Sequence, residues 1–163
     1  MDNNIINAFR NEYFFLSNFY ERPVTYKGIP YTNTESAFQA QKCKTEDERL
    51  QFSPLNPTEA KKLGRRVSLR PDWEDIKVKE MEAIVRCKFE QNPDLKEKLI
   101  ATRGTYLEEG NTWGDRIWGT TNGQGANLLG QILMKMREDF IKERESEQEL
   151  DLNYDDGFDP ADE

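Results

Sequence analysis

The chain has 163 residues, enough for one domain to bury a core without disulfide or metal staples, and its formal net charge of -8 argues against stable, non-specific gripping of long nucleic acid. No apolar block suits a signal peptide or a membrane helix, so the expected setting is the cytoplasm with no membrane partner. Histidine is absent, and Cys43 and Cys87 lack C-x-x-C spacing, so proton transfer must fall to other groups and neither a metal site nor a cofactor is expected.

In chain order, the aromatic N-terminal part comes first. Within it Asn18 sits in a turn-like "LSN", where its amide either meets a ligand or caps its own backbone. "VTYKGIPY" has two short β-prone runs around Lys27-Gly28 and predicts a small hairpin. Thr32, Asn33 and Thr34 then offer caps for a helix starting near Glu35, which places Glu35, Phe38, Gln39 and Lys42 on one face at i, i+3, i+4 and i+7. Ala37 and Ala40 lie nearer the other side. From spacing alone this is an amphipathic surface helix whose charges meet water.

Asn56-Pro57 opens a short helix through Leu63 that Gly64 closes. Trp73, Ile76, Met81, Ile84, Val85 and Phe89 recur at helical spacing and predict a long helix. Asn92-Pro93 repeats the capping device for a helix to about Ala101. From Arg103 to Gly125 the chain has six glycines, two tryptophans and no period, and reads as loop. Leu128, Leu129, Ile132, Leu133, Met136 and Phe140 mark a last long helix from near Ala126. The expectation is a mainly α single domain over 1–144 with a small N-terminal β-hairpin, followed by a disordered acidic tail over 145–163. A calcium-loop reading of the tail fails on register, with Asp156 where glycine is needed and Asp162 where a bidentate glutamate is needed.

In the long loop, Trp113 and Trp118 frame Asp115 and Arg116. They either pin the loop to the core or form a stacking wall for a planar base, with Asp115 accepting from sugar hydroxyls or supporting a developing cation. "NGQGAN" opens the last helix and suggests an anion site on its free amides. It is not a dinucleotide fingerprint, because Leu128 stands where a third glycine is required.

Six segments in order, "FLSNFY", "YTNTESAFQAQK", "LRPDWE", "KFEQNPDLKEKLIAT", "WGDRIWG" and "GQGANLLGQILMKMRE", resemble the NADAR, or YbiA-like, family from about Asn7 to Arg144. The resemblance implies a mainly α-helical YbiA-like fold and N-glycosidase chemistry at a ribose anomeric carbon. The substrate it implies is ADP-ribosylated guanine, in DNA or as a nucleotide, or a phosphoribosyl metabolite of riboflavin synthesis. Matched residue by residue, the family's acid falls on Glu35, its lysine on Lys42, its aromatic on Trp73 and its loop aspartate on Asp115, and this reads the Glu35 helix as a site. Ser36 stands where many relatives carry histidine, so that histidine is not essential here.

Cleavage of a ribose C1–N bond needs support for charge at C1 and a proton for the departing base. Lys42 as nucleophile through a Schiff base, Glu35 as acid/base and Asp115 holding the ribose meet both needs; a lysine-free route would use Glu35 and Asp115 as paired carboxylates around water. Candidate substrate contacts are Arg10, Asn18, Phe38, Gln39, Trp73, Trp113, Gly114, Trp118, Gly125 and Asn127. The rivals are a reader that binds ADP-ribose or a nucleotide without cleaving it, and an adaptor acting through the acidic tail.

Overall fold

Alternation in the hairpin sets the first piece of the fold. In the computed structural model, which describes residues 4–156, strand β2 (Val24–Tyr26) pairs antiparallel with β3 (Ile29–Tyr31). Val24, Tyr26, Ile29 and Tyr31 point into the core while Thr25 and Pro30 face out. Lys27 (φ 50°) and Gly28 (φ 84°) both take the left-handed conformation that the tight hairpin turn requires. Ahead of it, β1 (Ile5–Ile6) leads into a 3-10 helix over Asn11–Leu16.

Among the described residues, six α-helices supply the bulk. Helix α1 (Thr34–Ala40) is capped by Asn33, whose Oδ1 accepts from Ser36 N at 2.8 Å. Every residue of α1 is buried, so the surface helix read from spacing is overturned: α3 and α4 pack on it. Helix α2 (Glu46–Leu50), capped by Thr45, was not foreseen; five residues are too few to show a period. Asn56 and Glu59 form a reciprocal capping box at the start of α3 (Pro57–Gly64). Gly64 ends α3 but adopts no left-handed conformation; it is needed for close approach, since a Cβ there would lie 1.9 Å from Gln39 Oε1.

Helix α4 (Trp73–Gln91) buries Met81, Ile84, Val85 and Phe89 against Leu95 and Leu99 of α5 (Pro93–Ala101) and Leu129, Leu133, Met136 and Phe140 of α6 (Leu128–Asp156). Each such side chain contributes about 1.5–3 kcal/mol of transfer free energy. Asn92 does not cap α5 as expected. It also ends α4, and its Nδ2 donates to the orphan carbonyl of Lys88 at 2.7 Å while Oδ1 accepts from Arg22 Nη1 at 3.2 Å.

The stretch expected to be loop carries three two-residue strands. β4 (Tyr106–Leu107) pairs parallel with β1, and β5 (Gly110–Asn111) pairs parallel with β6 (Thr120–Thr121). Pairs this short leave no alternation to read. Nor does helix stop at Arg144: α6 continues through Asp156 across much of the segment expected as a disordered tail. Its Glu- and Gln-rich sequence favours helix, Arg144 pairs with Glu97, and Arg103 Nη2 lies 3.8 Å from Glu145. Residues 157–163 of that expected tail lie outside the described residues. No described helix is long and apolar enough to cross a membrane.

Lys88 of α4 is buried among these elements, its ammonium donating to the carbonyls of Phe15 (2.6 Å) and Ser17 (3.0 Å). Burial pulls its pKa down to about 7. This one side chain ties the 3-10 segment to the core and so fixes Asn18, which follows it.

Candidate active site

A cleft of about 1260 Å³ opens between α1 and α3 on one side and residues 108–123 on the other, with the 3-10 segment across one end. Because α1 is buried throughout, its polar residues can face only other elements or this cleft. Glu35, Phe38, Gln39 and Lys42 all line it, as their spacing predicts. Phe38 packs its ring 5.2 Å from Trp73 and 5.3 Å, edge-on, from Trp118, so one aromatic cluster joins the two sides.

Glu35 Oε1 accepts from Gln39 Nε2 at 2.8 Å, and the backbone N–H of Glu35 donates to Asn18 O at 3.1 Å. Burial pushes the Glu35 carboxyl up, the Gln39 hydrogen bond and the charges of Lys61 and Lys42 oppose this, and Asp115 adds to it. Lys42 lies just past the end of α1, half-buried, with Nζ 3.5 Å from Gly64 O. The same burial pulls the Lys42 amine down; Glu35 opposes it, while Arg65 and Lys61 add to the lowering. Acid and amine are thus both pushed toward neutrality.

Three basic residues of the α3 side, Lys61, Lys62 and Arg65, rim the cleft. Lys61 Nζ sits 5.8 Å from the ring centroids of both Phe19 and Trp113. Trp113 is 66% exposed, so it does not pin the loop to the core: it stands at the mouth as an open aromatic face. Trp118, half-buried, does the pinning.

Residues 108–123 form the acidic side. Asp115 Oδ1 accepts from the backbone amides of Ile117 (3.0 Å) and Trp118 (2.9 Å). Asn111 holds the turn, with Nδ2 donating to Asp115 O at 2.8 Å and Oδ1 accepting from Asp115 N at 3.1 Å. Glu109 also lines the cleft. Burial, then the charges of Asp115 and Glu35, push its carboxyl up to about 8, with Lys61 opposing.

Of the candidate contacts, Arg10, Asn18, Trp73, Trp113, Gly114 and Trp118 all lie on the cleft. Asn18 does not cap its own backbone: Phe19 N is served by Ser17 Oγ instead, and Asn18 Nδ2 donates to Met81 Sδ at 3.4 Å. Its Oδ1, like Gln39 Oε1 and Glu109 Oε2, is a buried oxygen with no hydrogen-bond partner among the described residues, and all three residues line the cleft.

Gly125 and Asn127 do not line the cleft, which corrects their expected role. A Cβ on Gly125 would lie 2.4 Å from Gly119 O, and Asn127 is buried with Oδ1 accepting from Glu109 N (3.0 Å) and Nδ2 donating to Leu107 O (3.0 Å). The expected anion site on "NGQGAN" fails for a related reason. The amides of Ala126, Asn127, Leu128 and Leu129 already donate to the carbonyls of Arg116, Gly119, Ile117 and Trp118, leaving none of the four free for a phosphate. Glu109, Lys61 and Arg65 are cleft residues that sequence reasoning missed. Glu108-Glu109 reads as a solvated acidic pair, and only a basic face recurring along α3 hinted at the other two.

With this geometry in view, the NADAR domain model matches residues 6–141. The chain is 37% identical over 150 residues, 88% of its length and 93% of the relative's, to "N-glycosidase YbiA" of Shigella flexneri. It is 41% identical over 131 residues to "Riboflavin biosynthesis protein VVA0006" of Vibrio vulnificus, covering 77% of this chain and 35% of that one. Among solved structures, the NMR structure of the E. coli protein YbiA superposes with a TM-score of 0.79 at 35% identity, covering 88% of this chain and 89% of that one, which agrees with the mainly α fold. The extent of the domain match and the identity to YbiA together establish that this chain belongs to the NADAR family.

Proposed function

We propose that this protein is an N-glycoside hydrolase that cleaves the bond between ribose C1 and a base nitrogen, with ADP-ribosylated guanine as its substrate. The observation that carries the reading is the pair Glu35 and Lys42 on one side of an aromatic cleft, the carboxyl raised and the amine lowered by the same burial. The name of the YbiA relatives, N-glycosidase, supports the reaction class.

In this reading Lys42 passes a proton to Glu35 and attacks C1 as a neutral amine, giving a Schiff base that water hydrolyses. The two groups titrate as a pair, so the proton released by one is stored on the other. Asp115, its carboxylate fixed by two backbone amides, holds the ribose hydroxyls. Phe38, Trp73 and Trp118 shield the reacting carbon from water, and the unpartnered oxygens of Asn18 and Gln39 accept from amino or hydroxyl groups of the substrate. Two features favour an ADP-ribosyl group: the cleft's about 1260 Å³, above the usual span of drug-sized sites, and a rim with three basic side chains beside an open tryptophan. That local positive rim overrides the net charge of -8 for a phosphorylated ligand.

A second substrate reading has its own support in the Vibrio relative named for riboflavin biosynthesis: a phosphoribosylated pyrimidine intermediate, cleaved at the same bond. The test is incubation with a guanine-ADP-ribosylated oligonucleotide and, separately, a phosphoribosylamino-pyrimidine. Release of ADP-ribose from the first by the parent, but not by Lys42→Ala or Glu35→Gln, supports the primary reading. Release from the second alone moves the assignment to the metabolite. Tight binding of both without turnover makes the protein a reader.

A further inference from the structure

Glu108 and Glu109 are the two cleft carboxyls that this mechanism leaves without a task; Glu108 Oε2 accepts from Thr120 Oγ1 at 2.6 Å, whereas Glu109 is held differently. Its backbone is clamped at both ends, N–H donating to Asn127 Oδ1 at 3.0 Å and C=O accepting from Thr120 N at 2.9 Å. Gly119 passes so close that a Cβ there would lie 2.0 Å from the Glu109 carbonyl oxygen. With the backbone fixed on three sides, the side chain lines the cleft.

There Oε2 is buried with no hydrogen-bond partner among the described residues. The contrast is with Glu35, which receives Gln39 Nε2, and with Asp115, which receives two backbone amides. An unpartnered buried oxygen disfavours the carboxylate form, whereas the protonated acid carries its own donor. The charged groups that bear on it from the surrounding elements are Asp115 on its own side of the cleft, Glu35 from α1 and Lys61 from α3. Two of the three repel an anion there. Carboxyls in one site whose settings push their proton affinities apart divide into an acid and an anion.

We propose that Glu109 is the general acid of the reaction, delivering its carboxyl proton to the base nitrogen as the C1–N bond breaks. This rests on the N-glycosidase reading above and assigns to Glu109 the proton that the leaving base needs. The bond from Lys42 Nζ to C1 forms as the C1–N bond breaks; its electron pair stays on the base nitrogen, which takes the Glu109 proton. One proton of the attached amine passes to the ring oxygen as the ring opens, leaving the protonated Schiff base. Water then adds to C1, its released proton restoring Glu109, and the carbinolamine collapses to the open sugar and Lys42, whose shared proton returns from Glu35.

The experiment compares the full-length parent with Glu109→Gln on both substrates named above, across pH. In the parent, kcat falls as pH rises through about 8, where Glu109 loses its proton. In Glu109→Gln, kcat drops about 10²–10⁴-fold with KM changed less than about threefold, and the residual activity no longer shows that high-pH limb. A second reading needs no turnover: with ¹³C-labelled glutamate carboxyls, the parent resonance that is missing from Glu109→Gln stays in its protonated form at neutral pH. An ionised Glu109 at neutral pH, a variant with near-parental kcat, or a limb that survives the substitution each overturns the proposal while leaving Lys42 and Glu35 standing. A parent silent on both substrates overturns the N-glycosidase reading, and the role of Glu109 with it.

Discussion

The two sides of the cleft are built by different means. On the α1–α3 side, side chains are placed by regular helix: Asn33 and Asn56 cap, and the i to i+4 bond from Gln39 orients Glu35. On the 108–123 side there is almost no regular structure, and Asp115 and Glu109 are placed by the buried amides of Asn111 and Asn127. A helix positions a group through its own repeat, whereas an irregular segment needs a separate hydrogen-bond partner for each group it positions. The helical side should therefore tolerate loss of a neighbour better than the loop side, except where backbone and side chain meet without clearance.

The hardest blow to the helical side is loss of the proposed nucleophile. Lys42→Ala is expected to lower turnover by about 10³-fold or more while substrate affinity, measured by calorimetry, stays near the parent's. Borohydride should trap a covalent adduct in the parent and none in this variant; an adduct that survives would remove Lys42 from the mechanism. Asn127→Ala attacks the other side without touching the cleft. It strips partners from part-buried Glu109 N and buried Leu107 O, at up to about 1–3 kcal/mol for each unsatisfied group, and should cut kcat about tenfold to a hundredfold. Urea unfolding and steady-state kinetics read the two effects. Unchanged kinetics would mean that the loop holds Glu109 by some other means.

Gly64→Ala tests the exception. Its Cβ would collide with Gln39 Oε1, and because Gln39 orients Glu35 the expected result is a roughly tenfold loss of kcat at a stability cost of about 1–3 kcal/mol. Gln39→Ala combined with Gly64→Ala should recover stability but not kcat. Trp113→Ala, at the open mouth, should raise KM about fivefold with kcat unchanged, the mark of binding shared by ground and transition states.

Stability against pH separates buried Lys88 from half-buried Glu109, which act with opposite signs. Lys88 has a folded pKa of about 7 against an ordinary value of 10.5, so between those values the unfolded chain holds the extra proton and the Lys88 contribution to stability rises with pH. Glu109, raised from 4.5 to about 8, holds the extra proton in the folded chain, so its contribution falls as pH rises from about 4.5 to 8. Denaturant midpoints should show Lys88→Met flattening the rise above pH 7 relative to the parent, and Glu109→Gln gaining on the parent as pH approaches 8.

How much of this was legible depended on whether the signal was local. The hairpin, α1, α3, α4, α5 and the start of α6 announced themselves through caps and periods contained in a few turns of chain. The strand pairs β1–β4 and β5–β6 did not, since each strand is two residues long and β4 lies about 100 residues from β1. Over residues 145–156 the acid-rich composition reads as solvating, while the same residues favour helix once α6 is nucleated by its buried half.

For the candidate site, the sequence by itself determined that Glu35, Phe38 and Gln39 share a face, because they fall within α1 at 3.6 residues per turn, whereas Lys42 joins them through the turn that follows the helix. It could not say whether that face meets water. Tertiary structure decided this by burying all of α1 and leaving one side open to the cleft, and burial is the leading cause of the raised acid and lowered amine. Tertiary structure also brought Glu109 and Asp115 opposite Glu35, more than 70 positions away in the chain, and took Gly125 and Asn127 out of the cleft. Proton affinity depends on solvent and neighbouring charge within a few ångströms, and those are properties of the folded chain that no local stretch of sequence encodes.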